Sequence, residues 1–134
     1  MDPIVRYMVL CDDVRIDPDR PLCANIECVI TNIVSLESPP FPLVRELVCV
    51  YLALTACRGN GTGQIRVAFL DNEGEQLLFG SPVRDLSFAG HSPLETLGIV
   101  FRLEACPFAR PGRYSVQFCY NGVVIEQRHL ELRG

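Results

Sequence analysis

Bulky apolar residues recur at every second position along much of this chain. In Arg113 to Tyr120 the side chains of Tyr114, Val116, Phe118 and Tyr120 fall on one face and those of Arg113, Ser115 and Gln117 on the other, which is the period of a strand with one wet side. Asn121-Gly122 follows and supplies the two positive-φ residues of a type I′ turn. That turn sets a register in which Tyr120 faces Val123, Phe118 faces Ile125 and His129 lies opposite Tyr114. Further on, the apolar phase passes from Val123 and Ile125 to Leu130 and Leu132, so a β-bulge or strand break is predicted between Glu126 and His129.

The same alternation marks Ile99 to Ala105, with Arg102 and Glu104 on the wet side, and Ile65 to Phe69, with Gln64 and Arg66. Further candidate strands are Ile4 to Cys11, Ala24 to Val34, Leu47 to Ala56, Gln76 to Phe79 and Arg84 to Phe88. The turn clusters "DPDRP", "SPPFP", "RGNGTG", "DNEG" and "PFARPG" separate them. About eight short strands with no segment of helical period predict an all-β fold, a single antiparallel sandwich spanning residues 1–134. In "ARPGRYSVQF", Tyr114 opens a strand after Pro-Gly, the placement of a tyrosine corner whose hydroxyl turns back to the preceding backbone.

Three stretches, "YMVLCDDVRI", "FPLVRELVCVYLALTACRGNG" and "CPFARPGRYSVQFCYNGVVIEQRHLELR", resemble a group of short bacterial proteins known only as a domain of unknown function. Its members likewise open on an apolar strand running into an acidic pair and close on a Pro-Gly-x-Tyr hairpin. The resemblance implies an immunoglobulin-like sandwich. It implies no established activity and carries over no functional residue.

At 134 residues the chain can bury roughly two-thirds of its unfolded surface, and it leaves no room for a second domain. No stretch approaches the ~18 apolar residues of a membrane span, and the N-terminus has the wrong charge order for a secretory signal. A cytoplasmic protein with no membrane partner is expected. The seven cysteines are odd in number, and most lie in apolar runs, as free core residues of a reducing compartment do. A net charge of -4 argues against a nucleic-acid partner. All twelve basic residues are arginine. GC-rich coding or avoidance of amine-directed modification would each account for that.

Candidate chemistry is sparse. His91 and His129 are the two histidines, and no nucleophile elbow surrounds any serine or cysteine, so an enzyme using Cys and His is a minor alternative and none of its residues is singled out as catalytic. Cys23 and Cys28, five apart on a strand, point to opposite faces and make no zinc pair. Asp12, Asp13, Asp17 and Asp19 place four carboxylates after the first strand, and a calcium-dependent binding module built on them is a second alternative. "CRGNGTG" lacks the strand-to-helix context and the lysine of a phosphate loop and reads as a flexible hairpin loop. Arg102, Arg113 and Arg128 are candidates for an anion- or partner-docking surface. No cofactor is expected.

Leu47 to Ala56 departs from the alternating pattern, because Val48, Val50, Leu52 and Leu54 on one face meet Leu47, Cys49, Tyr51 and Ala53 on the other. A two-layer sandwich wets one side of each strand, so this segment needs a cover, either the "SPPFP" segment or a second molecule. Val48, Val50, Leu52 and Leu54 are accordingly candidate self-association residues. Finally, "LELRG" resembles the ending of ubiquitin-like modifiers, a further alternative, although the chain lacks their helix. The reading as a whole is a non-enzymatic binding or structural module whose partner is another protein or a second copy.

Overall fold

The structure is a computed structural model that describes residues 2–134, apart from the side chains of residues 20–23. The described residues form strands β1 (Ile4–Asp17), β2 (Arg20–Val29), β3 (Asn32–Val34), β4 (Leu43–Thr55), β5 (Asn60–Asp71), β6 (Gly74–Gly80), β7 (Arg84–Ser87), β8 (Leu97–Phe108), β9 (Gly112–Tyr120) and β10 (Val123–Arg133), with no helix among them. Four strands make one sheet in the order β2-β1-β4-β8. The other runs β3-β10-β9-β5-β6, with β7 also paired to β5. The expected sandwich is therefore present, with ten strands in place of about eight.

One further strand comes from a segment whose chain changes sheet. Ala24 to Val34, expected as one strand, is divided at Ile30 and Thr31. The Ile30 N–H still bonds Leu10 of β1 at 2.7 Å, whereas the Thr31 carbonyl already accepts from Glu131 of β10 at 3.1 Å. β3 consequently runs parallel to β10, an exception to the antiparallel pairing expected throughout. "CRGNGTG" corrects another expectation, since it joins β4 in one sheet to β5 in the other rather than closing a hairpin. Its second half is strand because glycine makes room there. A Cβ on Gly61 would fall 2.4 Å from the Tyr120 ring, and one on Gly63 would fall 2.8 Å from Leu86.

The strand faces that alternation assigned inward meet between the sheets. Met8, Leu10, Val50, Leu52 and Leu54 from one sheet pack on Ile65, Val67, Tyr114, Val116 and Phe118 from the other. Tyr114 is fully buried, stands edge-on to Phe69 and Phe108 with ring centroids 5.1 Å away in each case, and donates its hydroxyl to the Arg110 carbonyl at 2.6 Å. The tyrosine corner is thus formed.

The Asn121-Gly122 turn has the anticipated positive φ at both residues, 51° and 80°. Tyr120 pairs with Val123 as expected, but the bulge falls earlier than predicted: Cys119 pairs with Val124 and Phe118 with Glu126, leaving Ile125 as the inserted residue. One consequence is that His129 lies across from Ser115, not Tyr114.

Candidate binding surfaces

Val48, Val50, Leu52 and Leu54 do not form a surface. They are 0–2% exposed and lie in the core between the sheets, which corrects their assignment to self-association. The reason is parity: both faces of β4 are apolar, and the even-numbered face is the inner one. "SPPFP" does not cover the odd-numbered face either, because Phe41 packs against the main core and the Pro40 carbonyl accepts from the Ser35 hydroxyl at 2.7 Å. The odd-numbered face is covered by its own sheet. Cys49 forms a small second cluster with Cys11 and Val14 of β1, against which Ala24 and Ile26 of β2, Leu47 and Tyr51 of β4 and Val100 of β8 are packed.

That cover is incomplete. Register places Val29, Cys11, Cys49 and Arg102 in one row across the outer face of the four-stranded sheet, Val9, Tyr51 and Val100 in the next, and Tyr7, Ala53 and Gly98 in a third. Tyr51 lies against Gly98, where a Cβ would come within 2.9 Å of its hydroxyl. Tyr7 and Val29 are each 65% exposed, and Val9, Tyr51 and Val100 are half-buried, so a contiguous apolar strip faces outward. The Arg102 guanidinium closes one end, donating to the Val14 carbonyl at 2.8 Å and lying 3.7 Å from the Asp13 carboxylate.

The outer face of the six-stranded sheet is built differently. Ser115 and Gln117 of β9 are almost fully buried there. The Ser115 hydroxyl donates to Gln127 of β10 at 2.9 Å, and the Gln117 amide donates to Glu75 of β6 at 3.0 Å. These neighbouring side chains lie over the strand and exclude water from it.

The four aspartates are not brought together. Asp12 takes Arg45 at 2.7 Å, Asp13 accepts its neighbour Val14 N–H at 2.8 Å, and Asp17 accepts Asp19 N–H at 2.9 Å in a tight turn. Among the described residues no group of three or more His, Cys, Asp or Glu side chains is arranged to hold a metal ion, so Asp12, Asp13, Asp17 and Asp19 do not form the single cluster expected of them.

Arg102, Arg113 and Arg128 also fail to form one surface. Arg102 lies on the outer face of the four-stranded sheet, whereas Arg113 pairs with Glu131 and Leu70 in the other sheet. Arg128 shares the phase of Leu130 on β10 and meets Glu126 at 3.1 Å. Which sheet a strand joins decides this, and spacing along the chain does not carry that information.

Cys11, Cys49, Cys57, Cys106 and Cys119 are buried and free, and Cys28 is exposed and free. Cys23 lies outside the described side chains. Burial pushes Cys11 and Cys106 up to about 11, and it raises Cys49, Cys57 and Cys119 as well, which keeps all five as protonated thiols at neutral pH. His129 is exposed on β10, and His91 lies in the β7–β8 connection with Nδ1 3.1 Å from Glu95. The Ser92 N–H, and after it His91, hold the Glu95 carboxyl below its ordinary value.

Sequence reasoning missed a cleft of about 420 Å³ beside this histidine. Its walls are β7 and the start of β8, edge strands of opposite sheets. Leu86, Phe88, Leu97 and Ile99 give it apolar surface, while Arg84, Asp85, Ser87 and His91 supply polar groups. Arg84 crosses the gap, donating to the Val100 carbonyl at 2.7 Å with its guanidinium 5.2 Å from the centre of the Phe101 ring. The run "VRDLSF" carried the alternation that aims Arg84, Leu86 and Phe88 to one side, but nothing local announced that a second edge would lie opposite.

Two packed sheets without helices define a β-sandwich protein. The chain belongs to a family of unknown function, DUF6941, whose sequence model matches residues 6–133. No curated protein matches it. Among solved structures it is similar to part of the alkylpurine DNA glycosylase AlkC of Pseudomonas fluorescens, bound to DNA containing an abasic site analog. The identity is 13% and the TM-score 0.50, over 95% of this chain and 30% of that one. A second similarity is to part of a beta-glucosidase from Listeria innocua in complex with isofagomine, with 10% identity and a TM-score of 0.48, over 98% of this chain and 16% of the enzyme. The chain thus spans less than a third of either protein, and the likeness to the glycosylase is one of fold alone.

Proposed function

We propose that this protein is a non-catalytic binding domain that associates with a second copy of itself through the outer face of its four-stranded sheet. The observation that carries the reading is the outward strip of Tyr7, Val9, Val29, Tyr51 and Val100, with Tyr7 and Val29 each 65% exposed. Sheets bury apolar faces by stacking about 10 Å apart, and a two-fold axis through the strip would lay it on its twin. Tyrosine suits such a role, since it offers a large contact area with few rotatable bonds. Arg102 and Asp13 lie close enough to offset each other within the chain, so the patch presents little net field to an identical partner despite an overall charge of -4.

The five buried thiols suit a reducing compartment and support a cytoplasmic location. The tyrosine corner supports kinship with immunoglobulin-like sandwiches. Sedimentation at tens of micromolar tests the reading: the unaltered chain runs as a dimer and Tyr7→Glu as a monomer. A monomeric unaltered chain, or a dimer indifferent to Tyr7→Glu, would overturn it.

A further inference from the structure

Beyond self-association, we infer that the cleft between β7 and β8 receives an extended segment of a partner protein that pairs with the free edge of β8 and presents a carboxylate to Arg84. Three observations converge on it. First, among the described residues β8 pairs with β4 on one side and with no strand on the other, and β7 pairs with β5 alone, so two strand edges border one cleft. In an antiparallel strand the N–H and C=O of one residue point to the same side, and the side alternates along the chain. The Val100 carbonyl receives Arg84, so it marks the free side. Gly98 shares the phase of Val100, and its N–H and C=O are therefore available for pairing, as is the Val100 N–H. An unpaired edge of this kind is the template used in strand addition.

Second, the cleft accommodates side chains as well as backbone. Leu86, Phe88, Leu97 and Ile99 border about 420 Å³ of space, enough for an apolar side chain of an added strand.

Third, the cleft holds a cation without an anionic partner. Among the described residues Arg84 makes no ion pair: its contacts are the Val100 carbonyl and the Phe101 ring, which use a fraction of its five N–H donors. His91 stands in the same cleft with Nδ1 against Glu95, leaving Nε2 for a ligand. Asp85 is the carboxylate in the lining, and it follows Arg84 on the opposite phase of β7. Side chains two apart on a strand share a face about 6.7 Å apart. The fitting segment therefore carries an apolar residue and, two positions along, an aspartate or glutamate.

The test titrates the full chain with a short acetylated and amidated peptide that alternates threonine with valine and carries one glutamate two positions after a valine. Amide resonances are followed by NMR. The expected result is shifts at residues 84–88 and 97–100, with at least about tenfold tighter binding than the same peptide bearing glutamine. That preference disappears in Arg84→Gln, and a peptide with proline at the central pairing position does not bind. No shift at millimolar peptide would overturn the inference. So would equal affinity for the glutamate and glutamine peptides, undiminished binding of the proline peptide, or shifts confined to the Tyr7–Val29 face. Should Arg84→Gln not fold, the comparison of the two peptides on the unaltered chain decides. Because the shifts are read at β7 and β8, failure here is distinct from failure to dimerise.

Discussion

The two outer faces of this sandwich solve one problem in opposite ways. On the six-stranded sheet, β9 presents Ser115 and Gln117 outward, and Gln127 and Glu75 fold over them with hydrogen bonds of 2.9 and 3.0 Å. Their polar atoms are satisfied within the chain. On the four-stranded sheet, β4 presents Cys49 and Tyr51, which mainly apolar neighbours cover, and the strip runs from the Arg102 guanidinium to a 65% exposed tyrosine. Satisfied polar groups can close a surface by themselves, whereas apolar groups close only by covering one another, and the last of them is always left in water.

The comparison can be broken from the inside first. Leu52→Ala, on the inner face of β4, opens a cavity between the sheets and should cost roughly 2–5 kcal/mol in urea unfolding, while its neighbour Tyr51→Ala on the outer face costs clearly less. Equal losses would mean that the outer cluster is as tightly packed as the core. Gln117→Ala should cost about 1–3 kcal/mol, because Ser115 and Glu75 lose a partner on a face that excludes water. Tyr114→Phe keeps the ring packing and removes one hydrogen bond, for a loss of about 1 kcal/mol.

Tyr7→Glu should change the melting of the isolated protomer by no more than about 0.5 kcal/mol while altering its assembly. The least visible effect is absent at neutral pH. Cys11, in the outer cluster, and Cys106, in the core, ionise near 9.0 when unfolded and at about 11 when folded. Their contribution is therefore whole below pH 9 and is lost as the pH climbs toward 11. Chemical unfolding across that range should show a falling stability that Cys11→Ala and Cys106→Ala each flatten. If only Cys106→Ala does so, the outer cluster is wetter than the core.

Much of this architecture was legible where a strand stays in one sheet and wets one side. Arg113 to Tyr120 shows its inner face by alternation alone, and Asn121-Gly122 fixes the turn that follows. Legibility ended where the third dimension decides. The division at Ile30 and Thr31 leaves no mark in hydrophobic pattern, since both halves remain extended and merely change partners. Ile125 could not be told from Glu126 as the bulged residue, because either restores the phase of Leu130 and Leu132. The double apolar character of β4 predicts a cover, and Ala24 and Ile26 supply part of it from a strand that the pattern along the chain does not point to. The β7–β8 cleft belongs to the same class, being a property of two edges that only the stacked sheets bring together.

The parallel seam between β3 and β10 has a mechanical meaning. β10 lies between β9 and β3, held on both flanks at Glu131 and Leu132, with Arg133 paired to β3 alone. A pull on the end of that strand along its own axis would load the hydrogen bonds of both seams in shear, together, where a terminal hairpin on an open edge would peel away one bond at a time. Tension applied there meets a clamp.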